Sequence, residues 1–242
     1  MDLGSSAGVR AAIFDLDGTL VDNMRFHAAA WTALFARLGT QVAPERFERE
    51  LAGKKSEDIF ELLLGHPLPA ASVAALAEEK EASYRAVYAP HLREVPGLTV
   101  FLGRLRAAGI RIAVATASPP ANRDLVLNGL SLGHFFDAIV GPEHAVRGKP
   151  APDNFLAASA ALRVEPAACI AFEDALNGVR AARAAGMVCA AVTTVNGEAA
   201  LREAGAQHAL ARFDPLPRDL EAALFPVSAP TRSAAPTGTS GR

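Results

Sequence analysis

The chain has 242 residues, half of them apolar, and its 24 lysines and arginines nearly balance 26 aspartates and glutamates, leaving a formal net charge of -2 at pH 7. That balance offers no basic face for nucleic acid or an anionic membrane, and the length allows one domain with an insertion or two small domains, each way with a substantial core. No apolar run reaches the roughly 18 residues needed to span a bilayer, and the opening MDLGSSAGVR has no signal-length stretch, so a cytoplasmic protein is expected.

The first element is the apolar run AAIFDL at 11–16, read as a strand buried on both faces, as in parallel sheets. From about 24 to 90 the pattern is helical throughout, in HAAAWTALFARLG, PERFERELAG, SEDIFELLLG and ASVAALAEEKEASYRAVYAP. Strand and helix then alternate. IRIAVAT, FFDAIV, CIAFED and MVCAAVT read as strands, and GLTVFLGRLRAAG, PANRDLVLNGLSLG, PDNFLAASAALRV and DALNGVRAARAAG as the helices around them. Right-handed crossovers turn this order into a parallel sheet covered on both faces. The expected organisation is an α/β core of residues 9–22 plus 91–225, a helical cap of residues 23–90 inserted after the first strand, and disordered ends at 1–8 and 226–242. The two connections, near Asp22 to Met24 and Pro90 to Pro96, form a hinge pair in this reading. Cys169 and Cys189 sit in apolar segments without a CxxC partner and read as buried thiols.

In an open parallel sheet the ligand crevice lies beyond the carboxyl ends of the strands. Asp15, Asp17 and Thr19 follow the first strand, Thr116 and Ser118 the second, Lys149 the third, Glu173 and Asp174 the fourth. This set suits phosphoryl transfer. Carboxylates such as Asp15 and Asp174 are hard oxygen ligands for Mg2+, and Asp15 can attack phosphorus to give an aspartyl-phosphate. Asp17, two residues on, is placed to give the leaving oxygen a proton and later take one from water. Lys149, the Thr116 hydroxyl and the N–H groups of Ala117 and Ser118 can hold the phosphate oxygens. Gly18 lets the chain turn sharply where a side chain would crowd the site.

FDLDGTLVD at 14–22, VATAS at 114–118, GKPAPDNFL at 148–156 and FEDALNGVRAARAAGM at 172–187 together resemble the four motifs of the haloacid dehalogenase (HAD) superfamily, over residues 9 to about 222. The resemblance implies a Rossmann-like doubly wound core with a helical cap, dependence on Mg2+, and Asp15 as nucleophile with Asp17 as acid and base. It places the metal on Asp15, Asp17 through its backbone carbonyl, and Asp174, with Glu173 nearby. The insertion is similar to the cap of the beta-phosphoglucomutases and related sugar-phosphate phosphatases: His27 in RFHAAAW and Lys80 in EEKEASY match cap residues of the mutases. Two positions depart. Ser56, in LAGKKSEDIF, stands where the mutases carry an arginine for the distal phosphate, and Pro119, in TASPPAN, where they carry a lysine. Lys54 or Lys55 could replace the arginine only without its bidentate fork. The reading is therefore a monomeric phosphatase of small phosphorylated metabolites, with His27, Lys54, Lys55 and Lys80 facing the substrate; the alternative is a beta-phosphoglucomutase. A phosphorylated receiver domain is about half this length and has neither the insertion nor the second acid.

Overall fold

Six short segments rich in small and β-branched residues form the sheet of the computed structural model, which describes residues 8–226. They are β1 (Ala11–Phe14), β2 (Arg111–Ala115), β3 (Ala138–Val140), β4 (Cys169–Glu173), β5 (Val188–Val192) and β6 (His208–Leu210). All pair in parallel, in the order β3-β2-β1-β4-β5-β6. The central strand is thus β1, with Ile13 between Ala113 and Ala171. Every residue of β1 is fully buried, which explains its unbroken apolar run. Alternation then divides the core: Ala12 and Phe14 join one cluster, Ala11 and Ile13 the other. Phe14 stacks on Phe172 with ring centroids 4.5 Å apart, and Phe101 and Phe213 close around the pair.

Directly after β1 come the helical segments α1 (Met24–Arg37), α2 (Pro44–Arg46) running into a π turn at Phe47–Leu51, α3 (Ser56–Leu64) and α4 (Ala70–Tyr88). They bury an apolar cluster of their own, in which Trp31, Phe35, Phe47 and Phe60 meet at centroid distances of 5.4 to 6.0 Å. This is the helical cap. Its two connections to the core run side by side: Val95 donates its N–H to the Leu20 carbonyl at 2.8 Å, and Val21 bridges Glu94.

The core helices are α5 (Leu98–Ala107), α6 (Pro120–Gly129), α7 (Asp153–Leu162), α8 (Leu176–Ala184), α9 (Glu198–Glu203) and α10 (Arg218–Leu224). The sequence reading omits β6, α9 and α10, each too short to show a period. It also runs the third strand from Phe135, whereas Gly133–Phe135 is a 3-10 turn and the ladder starts at Ala138. Asp137 ends that turn, its carboxylate accepting from the Ile112 N–H at 2.9 Å and from Arg106 at 2.7 Å. Apart from Gly8 and Pro226, the ends expected to be disordered fall outside the described residues. Among the described residues no helix is long and apolar enough to cross a membrane. Both cysteines are buried free thiols, and burial pushes that of Cys169 up to about 12.

Candidate active site

Asp15 lies one residue past the end of β1, its N–H still bonded to the Phe172 carbonyl at 2.9 Å, so its carboxylate emerges over the sheet's carboxyl edge. The Lys149 ammonium reaches it from the loop after β3 at 2.5 Å, and donates equally closely to Glu173, the last residue of β4. Glu173 has its other oxygen taken by the N–H groups of Asp174 and Ala175, both at 2.9 Å. Both its oxygens are therefore engaged, and it orients Lys149 and the loop to α8. Gly178 makes this possible, because a Cβ there would overlap the Glu173 carboxylate.

Asp174 accepts from the Thr19 hydroxyl at 3.2 Å through one oxygen, while the other is buried without a partner. The backbone at Gly18 has φ +79° and passes so close that a Cβ would lie 2.0 Å from that oxygen. Two loop residues after β5 brace the arrangement: Thr194 donates to the Gly18 carbonyl at 2.5 Å and Asn196 to that of Asp174 at 3.0 Å. Three buried acids, Asp15, Glu173 and Asp174, thus lie near the Lys149 ammonium, which bonds the first two. Burial pushes the Asp15 carboxyl up to about 7, against the pull of Lys149 and with help from the charges of Glu173 and Asp17. Burial, then Glu173 and Asp15, raise Asp174 as well. This excess of buried negative charge, and an orphaned carboxylate oxygen among hard donors, fit a divalent cation on Asp15 and Asp174. Among the described residues no three His, Cys, Asp or Glu side chains converge to hold an ion alone, so the set would be completed by a backbone carbonyl and water.

Asp17 is held differently. Asn23 donates to it at 2.6 Å, the Ser118 hydroxyl donates to its other oxygen, and His27 Nε2 lies 3.4 Å away. Burial works to raise this carboxyl, but the charge of His27 and the contacts of His27, Ser118 and Asn23 bring it down to about 2. Asn23 also accepts from the Gly18 N–H at 3.0 Å and donates to the Tyr84 hydroxyl at 2.6 Å, tying the acidic loop to α4. Neither Asn23 nor Tyr84 was singled out from sequence; the one available signal was the Asn closing the run FDLDGTLVDN. Thr116 accepts from the Ser118 N–H at 3.0 Å, which shapes the turn between β2 and α6.

Over this floor sits the cap. His27 stacks on Tyr84 with centroids 3.7 Å apart, and the Lys80 ammonium lies 2.7 Å from its Nδ1, 2.8 Å from Glu81 and 4.9 Å from the Trp31 ring centre. Lys80 is almost fully buried, and burial lowers its pKa, with Glu81 opposing. A cavity with an empty volume, mouth included, of about 740 Å3 joins the two parts. Asp15, Asp17, Thr116, Ala117, Ser118, Lys149, Glu173 and Asp174 line it from the core, His27, Lys54, Ser56 and Lys80 from the cap. Lys55, read beside Lys54 as facing the substrate, points elsewhere: its ammonium donates to the Ala145 and Val146 carbonyls at 2.8 and 2.9 Å.

A parallel sheet with acids, hydroxyls and a lysine at its carboxyl edge, under an inserted helical cap, is the build of capped phosphotransferases. The model of the haloacid dehalogenase-like hydrolases matches residues 9–186, and the chain belongs to that family, as an enzyme of its phosphatase and phosphomutase branch. It is 34% identical over 178 residues to the fructose-1-phosphate phosphatase YqaB of Escherichia coli (strain K12), spanning 72% of this chain and 92% of that protein. It is 33% identical over 191 residues to a beta-phosphoglucomutase of Bacillus subtilis (strain 168), spanning 76% and 83%. Among solved structures, a beta-phosphoglucomutase of Clostridium difficile superposes with a TM-score of 0.75 at 26% identity, covering 88% of this chain and 95% of that one.

Proposed function

We propose that this enzyme is a Mg2+-dependent phosphatase of small phosphorylated metabolites, sugar phosphates above all, working through a phosphorylated Asp15. The observation that carries this reading is the convergence of Asp15, Asp17, Thr116 and Lys149 on one cavity with an unpartnered Asp174 oxygen beside them. When bound, Mg2+ would be held by Asp15, Asp174 and the Asp17 carbonyl, and would supply positive charge against the phosphate. The Asp15 carboxylate attacks phosphorus, while Lys149 and the Thr116 side of the β2 turn hold the equatorial oxygens. Asp17 exchanges protons first with the leaving oxygen and then with the attacking water. It stands ionised in the ligand-free site, ready for the second step, so the first proton would enter with a substrate monoanion. His27 and Tyr84 keep Asp17 oriented, and the cap excludes bulk water.

The alternative is a beta-phosphoglucomutase, supported by the similarity to mutases and by the His27 to Lys80 contact. The departures at Ser56 and Pro119 favour release to water, because neither supplies a cation for a second phosphate. The test is phosphate release from a panel of sugar phosphates with and without Mg2+, run beside conversion of beta-glucose 1-phosphate to glucose 6-phosphate with added bisphosphate. Release without isomerisation is expected; efficient isomerisation would overturn the phosphatase reading in favour of the mutase.

A further inference from the structure

A second cleft, with an empty volume, mouth included, of about 1370 Å3, lies beside the catalytic cavity. Ser56, Glu81 and Ala117 line both, so the two spaces meet where the cap faces the turn after β2. One wall is the face of α4 bearing Val73, Ala74 and Ala77; Pro119 and Pro142 of the core stand on the lining as well. Short side chains three and four residues apart leave a flat apolar helix face. The ionisable lining consists of Glu57, Glu78, Glu81 and Lys55. Lys55 is engaged by the two core carbonyls, Glu78 pairs with Arg85 at 2.6 Å, and Glu81 pairs with Lys80 at 2.8 Å. Among the described residues, then, the cleft presents acceptor oxygens and an apolar wall, and no lining cation beyond Lys55.

We propose that this cleft is a leaving-group subsite for an extended, neutral or cationic polyol, of disaccharide or amino-sugar size, carried on a single phosphate. The inference rests on the reading that a phosphate ester binds at Asp15. A phosphate held there has its ester oxygen directed away from Asp15, and the space continuing past Ser56 and Ala117 is this cleft. The C–H faces of sugar rings suit the alanine wall, and hydroxyl or ammonium groups suit the carboxylates. A second phosphate would meet the Glu57 carboxylate, while Lys55 is already held by two core carbonyls and Lys80 by Glu81.

The test compares kcat/KM for glycerol 3-phosphate, trehalose 6-phosphate and fructose 1,6-bisphosphate in the wild type, Ala74→Trp and Glu57→Lys enzymes, with melting temperature as the check on folding. The wild type is expected to prefer trehalose 6-phosphate to both others. Ala74→Trp, outside the catalytic cavity, should lower kcat/KM for trehalose 6-phosphate about tenfold, mainly through KM, and leave glycerol 3-phosphate within about twofold. Glu57→Lys should raise kcat/KM for the bisphosphate about threefold or more. Equal effects of Ala74→Trp on both monophosphates, no effect on either, or a wild type that prefers the bisphosphate would overturn the subsite. In those cases glycerol 3-phosphate is still hydrolysed. Absence of phosphate release from all three substrates would instead overturn the phosphatase reading, and the subsite with it.

Discussion

The two acids of FDLDGT sit two residues apart and live in opposite environments. Asp15 is crowded by carboxylates and shares one lysine, whereas Asp17 is fed by hydrogen bonds and by His27. Environment, not identity, therefore sets the two carboxyls apart: Asp15 is raised and Asp17 lowered, and the proposed roles of nucleophile and proton carrier fall on unlike groups. Asp15→Asn is expected to lower turnover by about 10^3-fold or more while leaving the circular dichroism spectrum unchanged, because the amide keeps the shape and removes a repelling charge. A stability effect follows from the same crowding. The Asp15 carboxyl sits at about 7 in the fold against an ordinary 3.8, so the metal-free native state binds more protons than the unfolded chain across that window. Its contribution therefore weakens as pH rises from about 4 to about 7. Asp174 has the same sign, and Asp17, depressed to about 2, acts only below the ordinary range. Melting curves in chelator should show a loss of stability between about pH 4 and 7 that is smaller in Asp15→Asn; an equal slope in both proteins would contradict this. The strand-end acids were legible in sequence because position after an apolar run fixes where a side chain emerges. Asn23 and Tyr84 were not, because their contact spans 61 residues and depends on how α4 packs. Nor could LAGKKSEDIF tell Lys54 from Lys55: the left-handed turn at Gly53, φ +80°, precedes both and sets their directions.

At the scale of elements, the cap is tied down by reciprocal contacts on either side of the cavity. Asn177, in the first turn of α8, donates to the cap carbonyls of Glu50 and Ala52 at 3.0 and 3.2 Å. Lys55, just before α3, donates to two carbonyls of the core. A third tie runs through Asn122 of α6, which accepts from Arg85 at 3.0 Å and donates to Glu81 at 2.7 Å. The π turn at Phe47–Leu51 carries the Glu50 carbonyl and runs on to that of Ala52, both of which accept from Asn177 at a place where helix ends leave acceptors unsatisfied. Lys55→Met and Asn177→Ala are each expected to raise KM about three- to tenfold with a smaller change in kcat, as steady-state kinetics on any accepted sugar phosphate would reveal, since cap closure and not the chemistry is weakened. A matching loss in kcat with KM unchanged would mean that these contacts act in the chemical step. The long elements were readable because three or more turns repeat a period, and the buried strands because both faces exclude water. The π turn, β6 and the short C-terminal helices carry too few residues for any period, and they form because packing demands them.

For the whole molecule, the sheet order places β1 at the centre and thereby gathers residues from the ends of four strands into one site. That topology was foreseeable from strand and helix alternation with right-handed crossovers; the choice between hydrolysis and isomerisation, which the proposed reading rests on Ser56 of the cap and Pro119 of the core, is far less legible. Ser56 is the plainest of them. Ser56→Arg should restore a bidentate phosphate grip and lower KM for glucose 1,6-bisphosphate about tenfold, measured by competition with a monophosphate substrate; no change would mean that the cavity wall at Ser56 does not face a distal phosphate. The central claim is that Asp15 carries the phosphoryl group. It is tested most directly by rapid acid quench of the enzyme turning over a sugar phosphate with Mg2+, followed by mass mapping of the peptide containing residues 11–23. One phosphoryl group on Asp15, absent in Asp15→Asn, is the expected result; turnover with no label on that peptide, or with the label on another residue, would contradict it.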